Sequence, residues 1–447
     1  MKKESKETLI KTCFELNDFI FSEHFKSLEY PHHTIYNICR FYCRFIIGLI
    51  LNIIRNKFQF KRFSYYNKIY FKKNIFFSPT LNNKRAVEGI FTTTNNTFHI
   101  TNIKNVNQYP IFHVYLYSCS LIIPIILEYL KMPKGIEKNI VGNTLSRYVL
   151  TLGHYIVTNK ICKNSNISSL ILSNDHTSFN RAFILSAKKN NIISLYTQHA
   201  SVADYYPQLS CTYSVLDGIE TMKKYASNGK NIKQSTILLL GASRYDSLVS
   251  QKNHTTENKN VIGLGINALD SYSYILSTCK KLITDFPNHK IIIRAHPNWK
   301  SKSIKLPNII WSSAYEEPIN SFFEKIDILI SNDSCIHFDA VKYGLPTIMY
   351  TLNNDGFSDQ YGFVSSGFVK YIPNYNSLVI YLKNNNYYKP SIDLVRTYDN
   401  SYQKSYEGKT AQIISSFINY HFDINFMKQK YKLEKIESEI GNYYQIP

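Results

Sequence analysis

The segment Asp327-Ile-Leu-Ile-Ser-Asn-Asp-Ser-Cys-Ile-His-Phe-Asp-Ala-Val-Lys-Tyr-Gly-Leu-Pro346 leaves the chain few ways to fold. Its apolar run Ile328 to Ile330, bounded by polar residues, predicts a buried strand. Ser331, Asn332, Asp333 and Ser334 suit a tight turn and a helix cap. From Cys335 onward Ile336, Phe338, Ala340 and Val341 recur at helical intervals, until Gly344 and Pro346 stop the helix. Thr347 to Tyr350 is the next strand, which completes a βαβ unit. The turn aims backbone N–H groups and hydroxyls past the carboxyl end of the first strand, a place suited to phosphate. Taken alone, a capped turn without a ligand explains the segment as well.

The same alternation runs through most of the chain. Ser168–Leu172 predicts a strand, 181–189 a helix, Ile192–Tyr196 a strand, 211–216 a strand, 218–225 a helix and 236–240 a strand. A hydrophilic stretch at 250–260 reads as a linker. The second series comprises strands at 261–265, 289–294 and 308–311, with helices at 270–284 and 318–323, before the opening segment. Two such series predict an α/β protein with two Rossmann-like parallel-sheet domains facing a cleft. The expected division is a basic region of unassigned fold at 1–110, a first half at 111–249, the linker at 250–260, a second half at 261–404, and C-terminal helices at 405–447 packing back on the first half.

The chain's net charge is +20, and residues 1–110 carry half of it, with 17 Lys/Arg against 7 Asp/Glu. Such a segment suits an anionic membrane or another anionic polymer. Nucleic acid ranks last, because the polar clusters at strand ends would then serve nothing. Phe41–Ile54 is apolar but short and interrupted by Arg44; 111–130 carries His113, Pro124 and Glu128 and predicts a buried helix or a strand followed by a helix. No transmembrane span and no cleavable leader are expected. The eight cysteines are scattered without a C-x-x-C pair, which fits a reducing compartment.

In parallel sheets ligands sit beyond the carboxyl ends of strands. Five polar clusters fall there: Asp175-His176, Gln198-His199, Ser243-Arg244, Arg294 with His296, and Asp333-Ser334. Arg294 can fork onto phosphate oxygens, and His296 can donate to the same group. His199, in a loop of small residues, is the candidate general base, with Asp175 and His176 to orient it. Gly263 and Gly265 could let the backbone approach phosphate, although the three-glycine dinucleotide pattern is incomplete. The chain has no P-loop, no H-E-x-x-H and no G-x-S-x-G. It also lacks the Asp-x-Asp pair that holds a divalent ion, so no metal and no cofactor are expected.

Residues 170–369 resemble bacterial CDP-glycerol glycerophosphotransferase-like enzymes and related GT-B transferases of surface polysaccharide assembly. The resemblance rests on Gln198-His199, Gly241-Ala-Ser-Arg-Tyr-Asp246, Arg294-Ala-His-Pro297, and Ser331 to Asp339 followed by Gly344-Leu-Pro346. It implies a GT-B fold and a metal-independent transferase that moves a polyol-phosphate or sugar from a CDP-, CMP- or UDP-type donor. The implied acceptor is a lipid-linked or polymeric glycan, handled in the cytoplasm at the inner face of the membrane. His199 matches the acceptor-side base. Arg294 and His296 match donor-pyrophosphate contacts, joined in the expected donor set by Arg244, Gly263 and Gly265. Ser334 matches the first hydroxyl of a Ser-Ser phosphate turn, and Asp339 an acidic residue that contacts the donor. Cys335 stands where the second serine would be, and Ala200-Ser201 replace a Gly-Thr pair; both departures leave the donor open between glycerol phosphate and a sugar. A scaffold protein that kept the fold and lost catalysis is the alternative.

Overall fold

The computed structural model describes residues 5–18, 33–203, 206–227, 232–251, 260–267, 270–297, 299, 303–353 and 356–447. These form two sheets. The first carries strands β1 (Asn74–Phe77), β2 (Thr97–Ile100), β3 (Ser169–Leu172), β4 (Ile193–Thr197), β5 (Tyr213–Leu216) and β6 (Thr236–Leu239). The second carries β7 (Val261–Ile266), β8 (Lys290–Ala295), β9 (Ile309–Ser312), β10 (Ile328–Ser331), β11 (Thr347–Tyr350) and β12 (Lys370–Ile372), in the order β12-β11-β10-β7-β8-β9. The tail returns to the first sheet as β13 (Glu434–Ile436) and β14 (Tyr443–Gln445), giving the order β13-β14-β6-β5-β4-β3-β1-β2. Every neighbouring pair is parallel except β13 with β14. Parallel strands with helices on both faces must be apolar throughout, and β3, β7 and β10 are buried along their whole length.

The boundary expected at residue 110 cuts through one body, because β1 and β2 lie before it, and β1 pairs with β3 on one side and β2 on the other. Four-residue strands set among Tyr- and Lys-rich helical patterns leave no alternation to read. Thr97-Phe-His-Ile also follows directly on the Asn/Thr turn. The tail, expected as helix over 406–439, forms helices Thr410–Asn419 and Ile424–Tyr431 before its two strands. Ile413, Ile414 and Phe417 of the tail share a core with Phe76, Ile171 and Leu195 of the first sheet. Most of the expected linker, 252–259, lies outside the described residues; Ser250 and Gln251 belong to the 3₁₀ helix Ser243–Gln251.

The helix Ile136–Asn164 has apolar residues on every side and is the central pillar of the first half. Helices Thr34–Arg55, Ile111–Cys119 and Ser178–Lys189 surround it. The segment 111–130 holds two helices, Ile111–Cys119 and Ile122–Lys131, bent by 58° with no strand. Thr34–Arg55 runs longer than the apolar stretch expected there, since Arg44 does not interrupt it; by length and composition it could cross a membrane.

The opening segment folds as β10, a turn, the helix Ile336–Tyr343 and β11. Gly344 takes φ 88° and ends the helix; its N–H donates to the Val341 carbonyl, and that of Leu345 to Ala340. On this helix Lys342 is 1% exposed, with Nζ 2.6 Å from Asp399 and 3.0 Å from Glu407 of the returning tail. Asp399 also accepts from the N–H and hydroxyl of Ser401 and from the Ala242 N–H, so second half, tail and first half converge on one buried ionic cluster. Removing one member of a buried pair strands the other's charge, so Lys342→Ala is expected to cost about 3–5 kcal/mol in urea unfolding. Glu407→Gln is expected to cost less, because Lys342 and Asp399 keep each other.

Candidate active site

The carboxyl ends of the two sheets face each other across a cleft of about 380 Å³. That volume falls within the roughly 300–1,000 Å³ typical of small-molecule sites. His199 enters from the loop after β4, and Arg294 and His296 from the end of β8. Ser334, Cys335 and Asp339 enter from the turn and helix after β10. Groups the sequence placed in separate halves therefore share one space.

His199 is held from behind. Gln198 donates from Nε2 to the Thr221 hydroxyl at 3.2 Å and to the Ala200 carbonyl at 3.0 Å, while its Oε1 accepts from the Asp217 N–H at 2.9 Å. The His176 ring stacks on that of His199 with centroids 5.7 Å apart and lies 4.6 Å from the Tyr206 ring. Asp175 is buried; its Oδ2 accepts from Tyr225 at 2.7 Å and its Oδ1 lies 3.5 Å from His176 Nδ1. Asp175 and His176 do not line the cleft. Both sit one layer behind His199, where the expected direct part in catalysis is out of reach and only the expected orienting contact with its ring is open to them. Burial first, and then His176 and Arg244, push the His199 imidazole down to about 4 against the partial pull of the Ser173 backbone and Asp175. His199 is therefore neutral near pH 7 and has a lone pair for a proton.

The opposing wall is cationic. Arg294, 5% exposed, donates from Nη1 to the Ser312 hydroxyl at 3.0 Å and from Nη2 to the Glu317 carbonyl at 2.8 Å. Two of its five donor hydrogens are thereby used and the group is fixed in place. Burial lowers the pKa of Arg294, Glu317 raises it and Arg85 lowers it again; the guanidinium stays charged. Burial lowers His296 as well. Asp339 accepts from the Tyr245 hydroxyl, and burial raises its carboxyl despite nearby Arg244 and Arg294.

Two expected contacts, Gly263 and Arg244, are corrected. Gly263 faces the interior, where an added Cβ would lie 2.3 Å from Ile326; its lack of a side chain serves packing and no ligand. Gly265, two residues on, does line the cleft. Arg244 borders the cleft, but its guanidinium is committed to Asp217, at 3.0 and 2.5 Å, and to the Gln198 carbonyl at 3.2 Å. Burial pushes Asp217 up and Arg244 opposes it, while the paired carboxylate keeps Arg244 protonated. Cys335 lines the cleft as the N-cap of its helix, without a side-chain cap bond, and its thiol meets Tyr361 of the second half and Ser201 of the first. It joins the two walls where a second serine would contact phosphate.

Arg85 went unassigned in the sequence, where Lys84-Arg85 stood out only as a basic pair. The helix Leu81–Thr93 carries it into the cleft, and its Nη2 donates to the Ala314 carbonyl of the second half at 3.3 Å. Once β1 is known to be a strand of the first sheet, a basic residue on the following helix faces the same side as His199. Among the described residues, no three metal-ligating side chains come together.

No family model matches the chain, and no curated protein matches it in sequence. A variant of the wall teichoic acid polymerase TagF aligns over 88% of this chain and 99% of its own, at 15% identity and a TM-score of 0.50. A UDP-GlcNAc 2-epimerase from Neisseria meningitidis, bound to UDP-GlcNAc, aligns over 77% and 98% at 13% identity, with a TM-score of 0.48. MurG of Acinetobacter baumannii aligns over 61% and 78% at 9% identity, with a TM-score of 0.37. At such identities the likeness speaks to fold: two parallel-sheet domains that face a cleft and are joined again by the tail form a GT-B architecture.

Proposed function

We propose that the protein is a nucleotide-dependent transferase of bacterial surface-polysaccharide assembly. It moves a polyol-phosphate or a sugar from a CDP-, CMP- or UDP-type donor to a hydroxyl of a lipid-linked or polymeric glycan. One observation carries the reading: a neutral, rigidly backed imidazole and a cationic, hydroxyl-bearing wall line the same cleft from opposite sheets. His199 accepts the proton of the acceptor hydroxyl as its oxygen attacks the anomeric carbon or the phosphorus. The bond to the donor's bridging oxygen breaks, and the electron pair leaves with the nucleotide. Arg294, Arg85, His296, Ser334 and the N–H groups that open the helix Ile336–Tyr343 offset the charge on the leaving group. Sugar and glycerophosphoryl transfer place the same demands on this cleft, so the two are distinguished by the donor that binds.

A thermal-shift series with CDP, CMP, UDP and GDP tests the donor side, since a ligand that binds the folded form alone raises the melting temperature. At least one cytidine or uridine nucleotide is expected to raise it; no shift at millimolar concentration removes the nucleotide from the reading. With the donor so identified, His199→Ala is expected to lower turnover by roughly 10²–10⁴-fold. The nucleotide-induced shift should persist, because the imidazole serves the acceptor. Unchanged activity would favour the scaffold alternative.

The pH profile provides a separate check. A base held down to about 4 has already lost its proton at pH 5, so kcat/KM should show no imidazole step near 6.5 on its acid side. A step at 6.5 that disappears in His199→Ala would show that the imidazole titrates at its ordinary value and that burial does not hold it down. Replacing His176 with Asn removes a group that pushes the pKa down and should move the acid limb toward higher pH.

A further inference from the structure

Two arginines of the first half stand outside the cleft without a counter-charge. The helix Ile136–Asn164 leads through the short connection 165–168 into β3, and its Val157 and Ile161 share a core with Leu170 and Leu172 of that strand. The helix therefore runs antiparallel to β3. At 1.5 Å per residue Arg147 lies roughly 25 Å up the helix from Asn164, whereas the four residues of β3 rise only about 13 Å. Arg147 thus overhangs the carboxyl end of the first sheet, the end at which His199 enters the cleft. Its Nε donates to the Ser178 hydroxyl at 3.1 Å, two residues past His176, whose ring stacks on that of His199. One turn before Arg147, Asn143 accepts from Nη1 of Arg40 at 2.7 Å, which sets the second guanidinium along the same face of the helix. None of these residues lines the cleft.

Among the described residues neither arginine meets a carboxylate: Arg40 bonds to Asn143 and Arg147 to Ser178. Burial lowers the Arg147 pKa, Tyr148 raises it, and the like charge of Arg181, itself paired with Asp18, lowers it again. The hydroxyl of Tyr148, the next residue, is fully buried and meets no hydrogen-bond partner. An unpaired buried cation and an unpaired buried hydroxyl each destabilise a fold, so packing alone does not account for them. A tetrahedral anion does. The Nη donors left over on Arg147 and Arg40 can fork onto its oxygens, and the Ser178 hydroxyl, which accepts from Arg147, keeps its proton to donate. A planar carboxylate offers two oxygens at one edge, too few for donors spread over a helical turn. We propose that Arg40, Arg147 and Ser178, with the Tyr148 hydroxyl behind them, bind a phosphate group at a site of their own on the first half, beyond the carboxyl end of its sheet. The site does not rest on the transferase reading. A free phosphate, a phosphate monoester and a phosphodiester share this chemistry, and the test separates them.

Melting of the full chain is compared in sodium chloride and in sodium phosphate at equal pH and ionic strength. Phosphate at tens of millimolar is expected to raise the melting temperature, because it binds the folded form. Arg147→Gln is expected to weaken the apparent phosphate affinity at least ~10-fold, and Arg40→Gln to weaken it by less. Arg294→Gln, which alters the cleft and not this site, should keep the rise. In chloride Arg147→Gln should melt no lower than the parent, since it removes an unpaired buried charge. Dimethyl phosphate in place of phosphate identifies the source. An equal rise assigns the site to a phosphodiester, and no rise assigns it to a free or terminal phosphate. The inference fails if phosphate gives the parent no rise, or if the rise survives Arg147→Gln. It also fails if Arg147→Gln melts well below the parent in chloride, as the loss of a structural arginine would dictate, and the milder Arg40→Gln leaves the rise intact.

Discussion

The seam between the two halves is a buried network of charges, and the site depends on it. Lys342, Asp399 and Glu407 form one part of the network. In the other, Arg244 pairs with Asp217 within the first half, and the neighbouring Tyr245 hydroxyl crosses to Asp339 of the second. Taking an ion out of water costs several kcal/mol, which only close, well-directed partners offset. A greasy seam tolerates sliding, but the directed hydrogen bonds that cross this one, from the Tyr245 hydroxyl to Asp339 and from the Ala242 N–H to Asp399, are satisfied in few geometries. The residues that close the seam, Arg244 and Asp339, also border the cleft, so the relative placement of the halves and the shape of the site are set by the same contacts.

This arrangement accounts for an apparent redundancy of cations. Of the three arginines at the cleft, Arg244 spends its guanidinium on Asp217, and Arg294 and Arg85 are each anchored at part of their donor set. Anchoring removes rotamer freedom before any ligand arrives, which is how a preorganised site stabilises developing charge without reorganising. Burial first, and then His176 and Arg244, keep the His199 imidazole neutral. A protonated imidazole there would repel its neighbours and could take no proton. One electrostatic environment thus leaves a neutral imidazole on one wall and anchored guanidinium groups on the other.

The strand-exit clusters were legible because a parallel sheet forces its loops to one end, and the apolar runs at 169–172, 193–197, 261–266, 290–295 and 328–331 are long enough to locate those ends. Which side chain at an exit points into the cleft is set by tertiary packing, and this was not legible. Gly263 and Gly265 share one face of one strand, yet the first lies deep in the sheet under Phe322 and Ile326, and only the second, two residues nearer the carboxyl end, reaches the cleft. Asp175 and His176 follow β3 as His199 follows β4, but they turn inward to Tyr225 and Tyr206. Arg85 was hidden for another reason: β1 and β2 are too short, and too embedded in aromatic and basic sequence, to announce themselves.

The layer behind His199 is expensive to maintain. Asp175 is a buried carboxylate with Tyr225 as its close donor, and the Tyr225 hydroxyl also contacts Tyr196 at 3.2 Å. A core that served packing alone would gain by replacing these groups with apolar ones of like shape, because each buried polar group must be paired to break even. What this layer does accomplish is to set Asp175 beside the His176 ring, which Asn174 and Tyr206 also contact and which stacks on that of His199. The buried polar layer is thus accounted for by the orientation of one imidazole at the cleft. That is the same economy by which the ionic seam is accounted for by the orientation of the two halves.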